Sequence, residues 1–213
     1  MKLKLIILPL CLIALHAFAF EGTIKQTIKN YNGSGSDLTT TWYLSAHNCR
    51  MDMAISGKDV NSNTVLILDP AASTIKTYEA SSTAAQKSYF QINASSISGG
   101  VTIASVTASS DVRQINGYKC EKWTVVTSVG VYNIWVAKDV DFDWAPYKNL
   151  LKTSVEVQTL ASQGIKGFPM MTESVGGNNS SAVESVSAQP LAVNTFTVPS
   201  EYKLYSPQPA KTK

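Results

Sequence analysis

The chain has 213 residues, of which 44% are hydrophobic and 15% are charged, and its formal net charge is +3. This composition is typical of a folded chain with enough apolar residues for a core. The small net charge excludes the strongly basic surface that nucleic-acid-binding proteins use to hold phosphates.

The first predicted element is a signal peptide over residues 1–19. Lys2 and Lys4 form its positive start, and the apolar run that follows is too short to remain as a membrane anchor. Ala17 and Ala19 are the small residues expected before a cut between Ala19 and Phe20. An uncleaved N-terminal anchor is the alternative interpretation.

A lipid anchor on Cys11 is not favoured, because Leu10 precedes it where a small residue is required. No later stretch approaches the roughly 20 apolar residues of a transmembrane helix. We therefore expect an exported chain without a transmembrane segment, periplasmic in a diderm bacterium and secreted otherwise.

Cleavage would leave residues 20–213, a length that predicts a single domain over 20–206. Loss of Lys2 and Lys4 would lower the eighteen basic residues to sixteen, against fifteen acidic ones. The polar, proline-containing tail 207–213 is expected to be loose.

Two cysteines, Cys49 and Cys120, remain after cleavage. An even pair in an oxidising compartment predicts a disulfide between them. Two buried free thiols are the alternative, because the sequence does not show that these residues meet in space.

The dominant pattern of the mature chain is the alternation of half-buried antiparallel strands, clearest over residues 22–31. Between residues 41 and 55 the apolar positions change from even, as at Trp42, to odd, as at Met51, which predicts a bulge near 45–48. Segment 83–96 is compatible with a strand or a short helix. Further strands are predicted at 65–68, 74–79, 101–107, 111–115, 118–127, 132–136, 168–175, 182–188 and 196–198.

One helix is predicted after Asp143, which can cap it, with Pro146 in the first turn. The apolar residues from Tyr147 to Val155 approximate a helical stripe. Gly164 and Gly167 are expected to end the helix.

Candidate catalytic and metal sites are not convincing. His47 is the single histidine after residue 19, and no Gly-x-Ser-x-Gly motif accompanies it. The spacing of Asp139, Asp141 and Asp143 imitates the start of a calcium loop, but Trp144 stands where that loop requires glycine. We therefore predict no catalytic residue, no metal site and no cofactor, and we expect the protein not to be an enzyme.

Aromatic and methionine side chains on predicted strands are the remaining candidates for a site, because such residues can line an adaptable cavity for an apolar ligand. Ordinary core packing is the alternative for each of them. These candidates are Trp42, Met51, Met53, Trp123, Trp135, Phe168, Met170 and Met171.

Four segments carry a family resemblance. They are Phe20–Ile24, Ile115–Trp123, Ile134–Asp139 and Phe196–Tyr202. Through them the chain resembles a family of exported bacterial domains known only as a domain of unknown function, which is similar in layout to the outer-membrane lipoprotein carrier. The resemblance implies a mainly β fold in which a strongly curved, incompletely closed antiparallel sheet, a half-barrel, is covered by one helix and loops.

Two functions are compatible with these observations. The chain is either a soluble envelope protein that binds a lipid, a lipidated protein or another apolar ligand in the concavity of its sheet, or an interaction module with a filled core that docks to an envelope partner. A continuous apolar cavity between sheet and helix would favour the first.

Overall fold

The structure is a computed structural model, and it describes residues 19–31, 35–57, 61–80, 83–84, 86–177 and 180–206. Most of the predicted signal peptide and the predicted loose tail 207–213 lie outside the described residues. Within the described residues, no helix is both long and apolar enough to cross a membrane.

Twelve strands form one sheet, in the order β12-β6-β5-β4-β3-β2-β1-β11-β10-β9-β8-β7. All neighbours pair antiparallel except β12, which runs parallel to β6. The strands are β1 (Gly22–Tyr31), β2 (Ser36–Ser45), β3 (Asn48–Ser56), β4 (Asn61–Asp69), β5 (Thr74–Glu79), β6 (Ser88–Asn93), β7 (Ile103–Ile115), β8 (Tyr118–Thr127), β9 (Gly130–Ala137), β10 (Phe168–Ser174), β11 (Ser180–Ala188) and β12 (Lys203–Leu204).

The predicted fold class is confirmed. The described residues are mainly β, with one α-helix among them, α1 (Val155–Gln163), and a large sheet that stays open because β7 and β12 form its two edges. Short 3₁₀ turns at Ala94–Ser96, Ala145–Tyr147 and Val193–Phe196 complete the regular structure.

The predicted bulge at 45–48 is wrong, since Ala46 and His47 form a tight turn between β2 and β3. Ser45 pairs with Asn48 and Leu44 with Cys49, so even positions of β2 face odd positions of β3. A two-residue turn therefore produces the same change of parity without any irregularity in the strand.

The helix begins later than predicted. Asp143 accepts a hydrogen bond from the Ala145 N–H, but this interaction precedes a 3₁₀ turn and not the helix. The N-cap of α1 is Ser154, whose side chain accepts a hydrogen bond from the Val157 N–H, and Gly164 ends the helix at a φ of 62°.

Three strand predictions also change. Residues 101–107 and 111–115 contribute to one long strand, β7, and the predicted strand 196–198 is not formed, since Phe196 ends a 3₁₀ turn and residues 197–198 are irregular. The ambiguous segment 83–96 contains β6 and another 3₁₀ turn. The turn predicted at Asn116-Gly117 is confirmed, with φ values of 50° and 82° that suit this tight hairpin.

An aromatic cluster covers part of the concave face of the sheet. The segment between β9 and α1 supplies Phe142, Trp144 and Tyr147, all of them buried, and the sheet supplies Trp42 and Phe168. Trp144 and Trp42 meet edge to face with 5.5 Å between ring centroids, and the Trp144 Nε1–H donates to the Gly167 carbonyl at 2.8 Å. These contacts fix the connecting segment over the sheet.

The other face is covered near β4 and β5 by the C-terminal segment. Val65, Ile67 and Tyr78 pack there with Tyr202, whose ring centroid lies 4.5 Å from that of Tyr78. The Tyr202 hydroxyl donates to the Glu79 carbonyl at 3.0 Å. This second, smaller core fixes the chain that leads to β12.

The predicted disulfide is not formed, because Cys49 and Cys120 are both buried free thiols. Cys49 lies on β3 and Cys120 on β8, and five other strands separate these two in the sheet. Burial raises the pKa of Cys120 to about 11 and raises that of Cys49 further, so both side chains remain protonated thiols at neutral pH.

We therefore expect two thiols in the processed chain when it is denatured without reductant, and almost no reaction in the folded protein. Burial from water prevents the reagent from reaching either sulfur. Titration with a chromogenic disulfide reagent measures both numbers, with a fully reduced sample as control. Absence of thiols in the denatured, unreduced protein would contradict the structure.

Candidate functional site

An apolar cleft of about 410 Å³ lies between the concave face of the sheet and the start of α1. Its sheet side carries Leu38, Trp42, Met51 and Met53 from β2 and β3, with Leu66 from β4. Its opposite side consists of Trp144 and residues 151 and 153–157. We call this space the cleft.

A second apolar space of about 270 Å³, the side chamber, lies next to the cleft and is lined by residues of β3 to β6. Met53 and Leu66 line both spaces, and Ile55, Ile75 and Ile92 are among the residues that line the side chamber alone. We call these two neighbouring spaces together the groove. Cavities that bind small molecules commonly have volumes of roughly 300–1,000 Å³.

A buried chain of hydrogen bonds crosses the sheet side of the cleft. The Trp42 Nε1–H donates to Gln26 Oε1 at 3.1 Å, and Gln26 Nε2 donates to Ser181 Oγ at 3.2 Å. The chain joins β2, β1 and β11, which are neighbours in the sheet. It orients the Trp42 ring and supplies neutral polar groups in an otherwise apolar wall.

The sequence candidates divide into three groups. Trp42, Met51 and Met53 line the cleft. Phe168 and Met170 are fully buried in the main core, and Trp123 is partly buried and packs against it. The sequence pattern does not distinguish the wall of a cavity from the core behind it.

Trp135 and Met171 lie outside the cleft. Trp135 alternates along β9 with Ile134 and therefore faces away from Tyr132, which lines the cleft. The Arg113 guanidinium lies 4.4 Å from the centroid of the Trp135 ring, and the Trp135 Nε1–H donates to Glu173. Met171 pairs with Trp135 across β10 and β9, so it shares that outer face.

A larger space of about 870 Å³ lies on the other side of the aromatic cluster, where Phe142 and Tyr147 form part of its wall. Its lining mixes His47 with lysines and aspartates. Asp69 and Asp143 accept hydrogen bonds from the backbone N–H groups of nearby turns, so their carboxylates stabilise the loops that carry them. Within the described residues, no group of three or more His, Cys, Asp or Glu side chains is arranged to hold a metal ion.

Sequence reasoning missed several residues of the groove. Leu66 and Gln26 line the cleft. The periodicity of a strand does not give its register with the neighbouring strands, so it does not show which residues these two side chains meet. Glu156 lines the cleft at the first turn of α1. A helix predicted to begin at Asp143 would place Glu156 in its interior and not at its start. The Ser154-Val155-Glu156 sequence could have indicated the true start of the helix.

A family model with the description "Domain of unknown function (DUF4412)" matches residues 20–202. The chain belongs to this family. Comparison with curated proteins finds no match. The family match includes every residue of the groove named above.

Two similar solved structures are those of PNGF-II in the P21 and C2 space groups, with sequence identities of 11% and 12%. Each has a TM-score of 0.48 and covers 88% of this chain and 31% of the PNGF-II chain. The chain thus spans about a third of the length of these proteins, and a likeness at this level says nothing about its activity.

The buried hydrogen-bond chain predicts that Gln26→Leu lowers the free energy of unfolding by about 1–3 kcal/mol. The substitution leaves the Trp42 N–H without its acceptor and Ser181 without its donor. Urea unfolding followed by tryptophan fluorescence measures the change. Gln91→Leu, at an exposed position of β6, is the control and should change stability by less than about 0.5 kcal/mol. Equal effects of the two substitutions would contradict a structural role of the chain.

Proposed function

We propose that this is an exported envelope protein, without catalytic activity, that binds a lipid or another apolar ligand in the groove. The observation that carries the proposal is the cleft of about 410 Å³, which the aromatic cluster leaves open beside Trp42 and Trp144. The side chamber extends the same apolar surface by way of Met53 and Leu66.

The physical basis is the transfer of apolar surface from water. Burial of such surface contributes about 25 cal/mol per Å², so an acyl chain seated along the groove gains affinity with its buried length. The cleft is bordered by methionines and tryptophans, which adapt to ligands of different shape. A sheet with a helix over its concave side is also the layout that resemblance to the lipoprotein carrier implies, and this analogy supports the same proposal.

Binding of the uncharged dye N-phenylnaphthylamine tests the proposal, since its fluorescence rises in apolar surroundings. The wild-type protein should bind the dye saturably, and Met53→Trp should weaken binding roughly tenfold or more because the larger ring fills the junction of the two spaces. Met53→Leu preserves size and apolarity and is the matched control.

Thermal unfolding of both Met53 variants shows whether they remain folded. Absence of saturable dye binding by the wild-type protein, or equal binding by folded Met53→Trp, would contradict the proposed site.

Export makes a separate prediction. Phe20 donates its backbone N–H to the Asp141 carbonyl at 2.8 Å and packs against the main core, so the residue that would follow the predicted cut is part of the fold. The intact mass of the exported protein should correspond to a chain that begins at Phe20. Ala17→Arg should block the processing, since a small residue is required there. A full-length mass for the exported wild type would overturn the cleavage site.

One observation favours the second candidate, an interaction module. Strand β7 has 13 residues and lies at an edge of the sheet, where Val112 is 52% exposed. Such an edge can pair with a strand of a partner. The dye experiment separates the two candidates, because a module with a filled core takes up no apolar dye.

A further inference from the structure

The charges along the groove indicate which class of amphiphile it accepts, and this inference rests on the proposed function. Among the described residues that line the cleft and the side chamber there is no lysine or arginine. Glu156 is the one charged residue in that set. An acyl chain with an anionic head would therefore enter without a cationic partner.

The start of α1 does not supply the missing positive charge. A helix N-terminus ordinarily favours an anion, because its first N–H groups are unpaired. Here the Ser154 hydroxyl accepts a hydrogen bond from the Val157 N–H and donates to Glu156 Oε2 at 2.9 Å. The protein's own hydroxyl and carboxylate thus occupy the position that an anionic head group would need.

A second carboxylate lies beside the far end of the groove. Glu79 accepts hydrogen bonds from the Asn63 N–H at 2.8 Å and from the hydroxyl of Thr64, which lines the side chamber. Lys25, Lys29 and Arg50 adjoin cleft-lining residues in sequence without lining the cleft, and they pair with Glu184, Asp37 and Asp52. A fourth basic residue next to the cleft wall in sequence is Lys152, between Leu151 and Thr153. Its ammonium donates to the carbonyls of Ala94 and Ile97 and is engaged outside the lining.

We infer that the groove binds single-chain amphiphiles whose head group carries no negative charge, that a cationic head is preferred, and that Glu156 determines this preference. Free fatty acids and anionic phospholipids are disfavoured on the same ground. Like charges at short range in a partly desolvated site repel strongly, and no counter-charge of the lining offsets that repulsion.

Displacement of bound N-phenylnaphthylamine by three compounds with the same dodecyl chain tests the inference. These compounds are dodecyltrimethylammonium, monododecanoyl glycerol and dodecanoate, used at neutral pH below their micelle concentrations. The ammonium compound should compete best, and dodecanoate should be at least roughly tenfold weaker. Added salt should reduce the difference, because it screens the interaction with the carboxylate.

Two variants of Glu156 locate the preference. Glu156→Gln should reduce the difference between the ammonium compound and dodecanoate, and Glu156→Lys should reverse it, with each affinity compared with that of the uncharged glycerol ester for the same variant. Thermal unfolding shows whether both variants remain folded. The comparison of the three compounds on the wild-type protein does not depend on either variant.

Dodecanoate binding equal to or tighter than that of the ammonium compound would overturn this inference and leave the apolar groove intact. A wild-type preference that persists unchanged in folded Glu156→Lys would overturn the role of Glu156. Failure of all three compounds to displace dye that does bind would overturn acyl-chain binding itself, and failure of the dye to bind would overturn the proposed function.

Discussion

The apolar concave face of the open sheet must be covered, and most of the structure follows from how this is done. Trp144 lies at the centre of this covering segment. Its ring packs against Trp42 and Phe168, and its N–H donates to the Gly167 carbonyl. A buried indole without that acceptor would be costly, so the hydrogen bond also fixes how deeply the connecting segment inserts. The helix then begins where this segment has already placed it, over the cleft.

The covering is incomplete in a specific place. Phe142 and Tyr147 extend the aromatic cluster toward the larger space of mixed charge, whereas on the other side Trp144 forms part of the apolar wall of the cleft. Two spaces of opposite character therefore lie on the two sides of one cluster. The cluster separates them, so that the apolar groove is isolated from the lysines and aspartates of the larger space.

The sequence predicted the mainly β content well because strand alternation is a local property, whereas the curved, open sheet was implied by the family resemblance. The sequence predicted the connections less well, since a bulge near 45–48 and a two-residue turn at Ala46 and His47 produce the same change of parity between apolar positions. The start of the helix was misplaced because Asp143 and Ser154 are both good capping residues, and the segment after Asp143 forms only a short 3₁₀ turn before α1 begins after Ser154. Alternation also placed Trp42 and Met53 on one face, but it could not bring Glu156 to them. That contact depends on long-range packing, which no local pattern contains.

Met53 lines both spaces of the groove, so its size affects how much of the groove stays open. An apolar cavity in a core costs stability roughly in proportion to its volume, and larger apolar side chains at its wall would remove that cost. Met53 lines both the cleft and the side chamber, at a place where a larger aromatic side chain would fill part of the space. A flexible methionine instead leaves the space open and can move aside for a guest. The wall of the cleft also contains Gln26, whose buried hydrogen bonds to Trp42 and Ser181 hold that part of the wall rigid. Rigid hydrogen-bonded residues beside a deformable side chain suit the acyl-chain binding that we propose.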